Sequence, residues 1–266
     1  MTVDVTPLAG AGRPPLGSTH VEHVMGTAVS FRILPTDGAT PGLVSDLLRE
    51  ACGVLHDCDA VFSTWDPTSP MSQLRAGVRS LDQCPPVVEE VLELCAIARE
   101  RSAGWFDPWA MHGGVDPTGL VKGLAAERAL SILRVPEITA ALVNAGGDVA
   151  GFGGPSPGAR WRIGIRHPWR ADAFACVVDL DGAVATSATY ERGAHLVDPH
   201  TRVARARAVS ATVCGPSLAM ADALATALAV GGDEALAAVE TLDGYAGYLI
   251  RPDGSETSSP GMPFSL

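Results

Sequence analysis

Residues 139–180 read TAALVNAGGDVAGFGGPSPGARWRIGIRHPWRADAFACVVDL. Four short apolar segments, at 139–144, 148–152, 161–167 and 174–180, are separated by Gly-Gly, a Gly/Pro-rich run and a His-Pro-Trp-Arg turn. Links this short predict antiparallel pairing, because a parallel crossover needs a dozen or more residues. Upstream, HVMGTAVSFRIL at 23–34 alternates and stops at Pro35, which suits one strand. Thr40-Pro41 reads as an N-cap followed by Pro at the first helical position. The apolar spacing after it predicts a helix over 41–60. Residues 63–75 read as a polar loop, 86–102 as a helix stopped by Gly104, 104–119 as an aromatic Gly/Pro loop and 120–133 as a helix. A strand at 207–214, helices at 217–229 and 232–241 and a strand at 245–250 complete the chain. Interleaved helices with tightly linked strands predict an α+β fold, a mixed, largely antiparallel sheet core with flanking helices. Residues 1–19 read as a flexible leader and 20–266 as a single domain.

Composition narrows the function. The chain has 266 residues, 47% of them hydrophobic and 18% charged, which excludes a disordered protein. No apolar run is long enough for a transmembrane helix. The net charge of -11 argues against a nucleic-acid surface; the densest basic cluster, Arg202, Arg205 and Arg207, is short. The first residues carry neither a basic start nor an apolar stretch, so neither a signal peptide nor a lipoprotein leader is predicted, and a cytoplasmic location is expected. Six cysteines form no C-x-x-C pair; Cys52, Cys95, Cys176 and Cys214 lie in apolar runs and read as small buried hydrophobes in a reducing compartment.

Of the 19 basic residues only Lys122 is lysine. Either it survives by chance in an Arg-rich composition or a compact point charge is needed there. It follows Asp116 and Gly119 in VDPTGLVKG, a turn entering a helix, where an anion such as phosphate is favoured; an ordinary capped helix with a surface Lys is the plainer reading. Asp222 and Thr226 stand four apart and share a helix face. They are hard oxygen ligands suited to Mg2+, or else the polar stripe of an Ala-rich helix. His195 in AHLVDPH reads either as a general base or as a structural imidazole. Gly146-Gly147-Asp148 ends a strand where backbone can approach a ligand, whereas residues 151–158 lack the spacing of a dinucleotide fingerprint. His20 with His23, and the run His56-Asp57-Cys58-Asp59, resemble metal ligands only superficially. The first pair precedes the predicted elements, and few of the second set share a helix face.

The order of motifs is more specific than any one of them. MGTAVSF at 25–31, STWDPTSPMSQL at 63–74, GWFDP at 104–108, DPTGLVKGLAAERA at 116–129, VNAGGDV at 143–149, ATSATYERG at 185–193, HLVDPHT at 195–201 and SATVCGPSLAMADALATAL at 210–228 follow in sequence. This arrangement closely resembles the FAD:protein FMN transferase, or ApbE-like, family. The resemblance implies an enzyme that cleaves FAD, attaches FMN through a phosphoester to a Thr hydroxyl of a target flavoprotein and releases AMP, with Mg2+. An FAD pyrophosphatase giving FMN and AMP, or a non-catalytic flavin-binding protein, are the alternatives. Carried over by motif, Met25, Trp65, Trp105, Phe106, Asp107, Asp116, Lys122 and Leu196 should line the FAD site. Gly119 (through its carbonyl), Asp222 and Thr226 should hold Mg2+. His195 should act as base, with Lys122 neutralising phosphate charge. Three departures stand out: Trp65 where many relatives have Tyr, Trp109 in place of the Thr of FDPT, and Arg202 in place of the Gly of DPxTG.

Overall fold

The computed structural model describes residues 17–189 and 196–265. Its centre is an eight-stranded sheet in which every pairing is antiparallel. The strands are β1 (Ser18–Val24), β2 (Thr27–Pro35), β3 (Ile138–Ala145), β4 (Asp148–Phe152), β7 (Ala183–Ala188), β10 (Ser210–Gly215), β11 (Ala246–Ile250) and β12 (Glu256–Ser258), in that spatial order. β5 (Arg162–Arg166) and β6 (Phe174–Asp179) form a separate hairpin, and β8 (Val197–Asp198) pairs with β9 (Val203–Ala204).

Both faces of the large sheet are covered, and the period-2 alternation of its strands assigns them. Ala141, Val143 and Ala145 of β3, Ala150 of β4, Ala185 of β7 and Val213 of β10 join a core shared with the helices. Their neighbours Ala140, Leu142, Val149, Val184 and Cys214 join a second core with Trp161, Ile163, Ile165 and Val178 from the β5–β6 hairpin. The molecule is thus layered as helices, sheet and hairpin.

The helices are α1 (Pro41–Phe62), α2 (Pro70–Arg75), α3 (Pro86–Arg101), α4 (Thr118–Ile132), α5 (Leu218–Gly231) and α6 (Asp233–Glu240). Thr40 caps α1 as the sequence suggests, its side chain accepting from the Leu43 N–H with Pro41 at the first helical position. α5 is buried on nearly every side. Its alanines let it lie against the sheet, and α4 crosses close to it at Gly123. A Cβ there would lie 2.5 Å from the Leu218 carbonyl oxygen.

Several boundaries differ from the sequence reading. The strand expected at 23–34 is a hairpin, broken by Met25-Gly26. Both turn residues have positive φ, 55° and 67°, the pattern of a two-residue turn that matches strand twist. Gly accepts this freely; Met25 does so at a cost. β1 begins at Ser18, inside the stretch read as leader. α2 interrupts the expected loop at 63–75, with Ser69 as its cap and Pro70 at its first position. β7 lies where no strand was expected, and it joins β4 to β10 in the middle of the sheet.

Candidate active site

Lys122 projects from the second turn of α4 between two carboxylates. Its ammonium contacts Asp148 Oδ2 and lies 3.6 Å from Asp222 Oδ1. Asp148 opens β4 directly after the Gly146-Gly147 turn and is 1% exposed. Alternation in β4 turns it to the helix face of the sheet. Its Oδ1 accepts from the Thr186 N–H of β7 at 3.0 Å. A buried carboxylate needs such partners. Asp148 had no role in the sequence reading beyond its place after two glycines. What marks it is a charge opening an otherwise apolar strand, and its partner is 26 residues away in the chain.

Asp222 is also buried, 4% exposed, in the second turn of α5. Its Oδ2 accepts from the Gly123 N–H at 3.0 Å. In an ideal helix that donor points at the Gly119 carbonyl. The Asp222 carboxylate therefore competes for the hydrogen bond that would otherwise occupy Gly119. One turn later on α5, Thr226 Oγ1 lies 3.2 Å from Ser187 Oγ of β7. A Cβ placed on Gly119 would sit 3.5 Å from Thr226 Oγ1 and 3.2 Å from Phe106 Cε2. Gly119, Lys122, Asp222 and Thr226 are thereby brought together from two helices. Carboxylate, hydroxyl and peptide carbonyl are hard oxygen donors of the kind Mg2+ prefers. The donor set fits such an ion.

The loop entering α4 is pinned from outside the helix. Asp116 Oδ1 accepts from the Thr118 N–H at 3.0 Å and the Thr118 hydroxyl at 2.6 Å. Asp116 Oδ2 pairs with Arg75 at 2.9 Å. Arg75, at the end of α2, also donates to the carbonyls of His112 and Val115, each at 3.0 Å. Sequence reading assigned no part to Arg75, because its contacts arise some 40 residues away in the chain. The start of α4 therefore presents the positive end of a helix dipole from a fixed position, with the Thr118 N–H held by Asp116 and the Leu120 and Val121 N–H groups held by the Pro117 carbonyl.

The other predicted flavin-contact residues fall in different settings. Trp65 is 94% exposed just beyond α1. Met25 occupies the β1–β2 turn, at the same end of the sheet as the Gly146-Gly147 turn. Asp107 caps a short 3₁₀ turn, Pro108–Ala110, accepting from the Trp109 N–H at 2.9 Å and pairing with Arg99 at 2.8 Å. Phe106 is buried beside Gly119, and Leu196 is buried just before β8. Trp105 is turned inward against Gly231, with His200 edge-on at 4.5 Å and the Arg207 guanidinium over its ring at 4.6 Å. His195 lies outside the described residues.

Two of the unusual residues have a structural setting. Arg202 adopts φ 58°, a conformation that a glycine takes without strain. Its N–H donates to the Asp198 carbonyl at 2.7 Å, and its own carbonyl faces His112 Nε2 at 3.2 Å. Trp109 is partly exposed and contributes its backbone N–H to Asp107.

Comparison with known proteins places these motifs. The family model described as the ApbE family matches residues 110–249, just over half of the chain. The chain is 32% identical over 151 residues to the FAD:protein FMN transferase of Escherichia coli K12, covering 53% of this chain and 43% of that protein. Against the FAD:protein FMN transferase of Rhodobacter capsulatus it is 34% identical over 159 residues, covering 56% and 30%. The matches thus span less than half the length of these relatives. Among solved structures, the flavin transferase ApbE from Vibrio cholerae aligns with a TM-score of 0.78 at 20% identity, over 92% of this chain and 98% of that one. The ApbE protein from Thermotoga maritima gives 0.76 at 20% identity, over 92% and 97%. At such identity these two likenesses speak for the fold. Among the described residues, no helix is long and apolar enough to cross a membrane.

Proposed function

This chain belongs to the ApbE family, and from that membership and the geometry around Lys122 we propose that it is a Mg2+-dependent flavin transferase. The substrate is FAD, and the acceptor is a flavoprotein that presents a Thr hydroxyl. The acceptor oxygen forms a bond to the phosphorus of the FMN half. The P–O bond to the AMP half breaks, AMP leaves with the electron pair, and the hydroxyl proton passes to His195.

The observation that carries this reading is the convergence of Lys122, Asp222, Thr226 and Gly119 beside the start of α4. Phosphoryl-type transfer depends mainly on positioning and on neutralising charge. Asp222, Thr226 and the Gly119 carbonyl would hold Mg2+, which when bound supplies positive charge against the pyrophosphate oxygens. Asp148 holds the Lys122 ammonium beside that position, ready to pair with a phosphate oxygen. The fixed N-terminal turn of α4 adds the positive end of its helix dipole for the same anion. Asp116, locked by Arg75 and Thr118, keeps that turn in place. Trp65 offers an exposed aromatic face for a flavin or adenine ring, and Met25 and Leu196 add apolar contact.

The test measures AMP release from FAD with and without an acceptor flavoprotein, and with its Thr replaced by Ala. The proposal expects Mg2+-dependent AMP release in step with acceptor labelling, abolished by a chelator and by the Thr→Ala acceptor. AMP release that ignores the acceptor identifies a pyrophosphatase using water. FAD bound but intact identifies a non-catalytic flavin-binding protein.

A further inference from the structure

A second cluster of metal-ligating side chains lies on β1 and α1. His20 and Glu22 are two apart on a strand, so they share a face; Cys52 and His56 are four apart on a helix, so they share one too. Packing α1 against β1 brings the two pairs together. One ligand atom from each of His20, Glu22 and Cys52 lies within 4.8 Å of the others. Among the described residues no other three His, Cys, Asp or Glu side chains converge in this way. His56 Nε2 lies 3.0 Å from Glu22 Oε1, and His20 Nε2 lies 3.2 Å from Glu22 Oε2. The cluster lines a groove of about 730 Å³ that also includes Ser45 and Arg49.

We propose that His20, Glu22 and Cys52 form a binding site for a borderline divalent transition ion of the zinc class, with His56 orienting Glu22. The donor chemistry selects the ion. Imidazole and thiolate suit Zn2+ and its neighbours, whereas Mg2+ takes oxygen ligands. Tetrahedral zinc with bonds of about 2.0–2.3 Å places its ligands roughly 3.3–3.7 Å apart. Small side-chain rotations close the present separation to that range. Three protein ligands leave a fourth position open to the groove. A hydrogen bond to a ligating carboxylate is the usual support for such a site, and His56 supplies it.

Cys52 is 9% exposed. Burial first, then the Glu22 charge, push its thiol up to about 11. In the metal-free protein the thiol is therefore protonated and a poor nucleophile. Metal binding replaces that proton with the ion and releases it to solvent. Sequence alone does not single these residues out, because His20 precedes the strand expected at 23–34 and His56 stands in a run with Asp57, Cys58 and Asp59. The partners that matter are Glu22, two residues after His20 on β1, and Cys52, one helical turn before His56, and no spacing rule shows that the strand pair meets the helix pair.

The experiment titrates the full-length chain, stripped by a chelator and reduced, with Co2+ as a spectroscopic probe and then with Zn2+ against a chromogenic competitor. The proposal expects one equivalent bound, a thiolate-to-cobalt charge-transfer band, and its displacement by Zn2+ but not by excess Mg2+. Cys52→Ser should abolish the band, and His20→Ala should weaken Zn2+ binding at least tenfold. His56→Ala should keep the band and weaken affinity by about 10–100-fold. Asp222→Ala should leave the spectrum unchanged, which separates this site from the Mg2+ ligands. Thermal melts in chelator verify that each variant folds. No charge-transfer band in the wild type, or a band that persists in Cys52→Ser, would overturn the proposal and leave a hydrogen-bonded cluster only.

Discussion

Gly123→Ala isolates the contact that sets α4 against α5. The new Cβ would lie 2.5 Å from the Leu218 carbonyl oxygen, 2.9 Å from the Leu218 carbonyl carbon and 3.0 Å from Asp222 Cβ. These are roughly 1 Å inside ordinary contact, and two of the three atoms are backbone. The helices must separate, because neither obstacle can swing away. Ala gains about 1 kcal/mol of helix propensity over Gly. Overpacking costs about 1–3 kcal/mol, and here its upper end applies because backbone is struck. Separation also stretches the Gly123 N–H bond to the Asp222 carboxylate, a charged hydrogen bond worth about 1.5–3 kcal/mol. The clash wins, with a net loss of about 2–4 kcal/mol. For a chain of this size that lowers Tm by about 5–15 °C. Gly53→Ala is the control, since a Cβ at that α1 position meets nothing within 4 Å. Denaturant melts of both variants check the reasoning. Gly53→Ala should match or exceed the wild-type midpoint, and Gly123→Ala should fall well below it. Equal midpoints would refute the close approach of the two helices. In the surviving folded fraction, a shift of Asp222 by several tenths of an ångström should slow flavin transfer by about 10–100-fold.

Other substitutions probe the remaining structure. Lys122→Arg keeps the charge but puts a larger planar group between Asp148 and Asp222, so transfer should slow at least tenfold while Tm changes little; wild-type kinetics would show that the ammonium is not needed. Arg202→Gly should raise stability by about 0.5–1 kcal/mol by removing a side chain held at φ 58°, and a lowered Tm would mean that Arg202 makes compensating contacts. Burial first, then Asp116, push the Cys95 thiol up to about 12 from an ordinary 9. Its folded pKa is raised, so its contribution is full below pH 9 and erodes between pH 9 and 12. Denaturant midpoints should fall less steeply over that interval in Cys95→Ala than in the wild type, and parallel slopes would count against the buried thiol as the cause.

Much of the fold can be read from local chemistry. Thr40-Pro41 starts α1 where capping rules place it, and two of the three short links in residues 139–180 produce antiparallel pairs, β3 with β4 and β5 with β6, whereas the Gly/Pro-rich run between β4 and β5 carries the chain off the large sheet into the separate hairpin. The same capping pattern at Ser69-Pro70 starts α2, but its six residues carry too little periodicity to stand out from a polar loop. The β1–β2 turn has no strong sequence signal, because Met25 takes a conformation usually left to Asn, Asp or Gly. β7 reads AVATSA, short and small, and its place at the sheet centre comes from pairing with β4 and β10. In the site, Asp222 and Thr226 were visible because one helix carries both. Asp148 and Arg75 were not, because each earns its place through a partner on another element. His20, Glu22, Cys52 and His56 belong to the same class.

The most direct test of the central claim is the intact mass of a purified acceptor flavoprotein after incubation with this protein, FAD and Mg2+. The account predicts that the acceptor gains one FMN less one water at a single Thr, with one AMP released per addition, and that Asp222→Asn leaves it unmodified. An acceptor of unchanged mass while FAD is consumed, or full labelling by Asp222→Asn at low Mg2+, would contradict it.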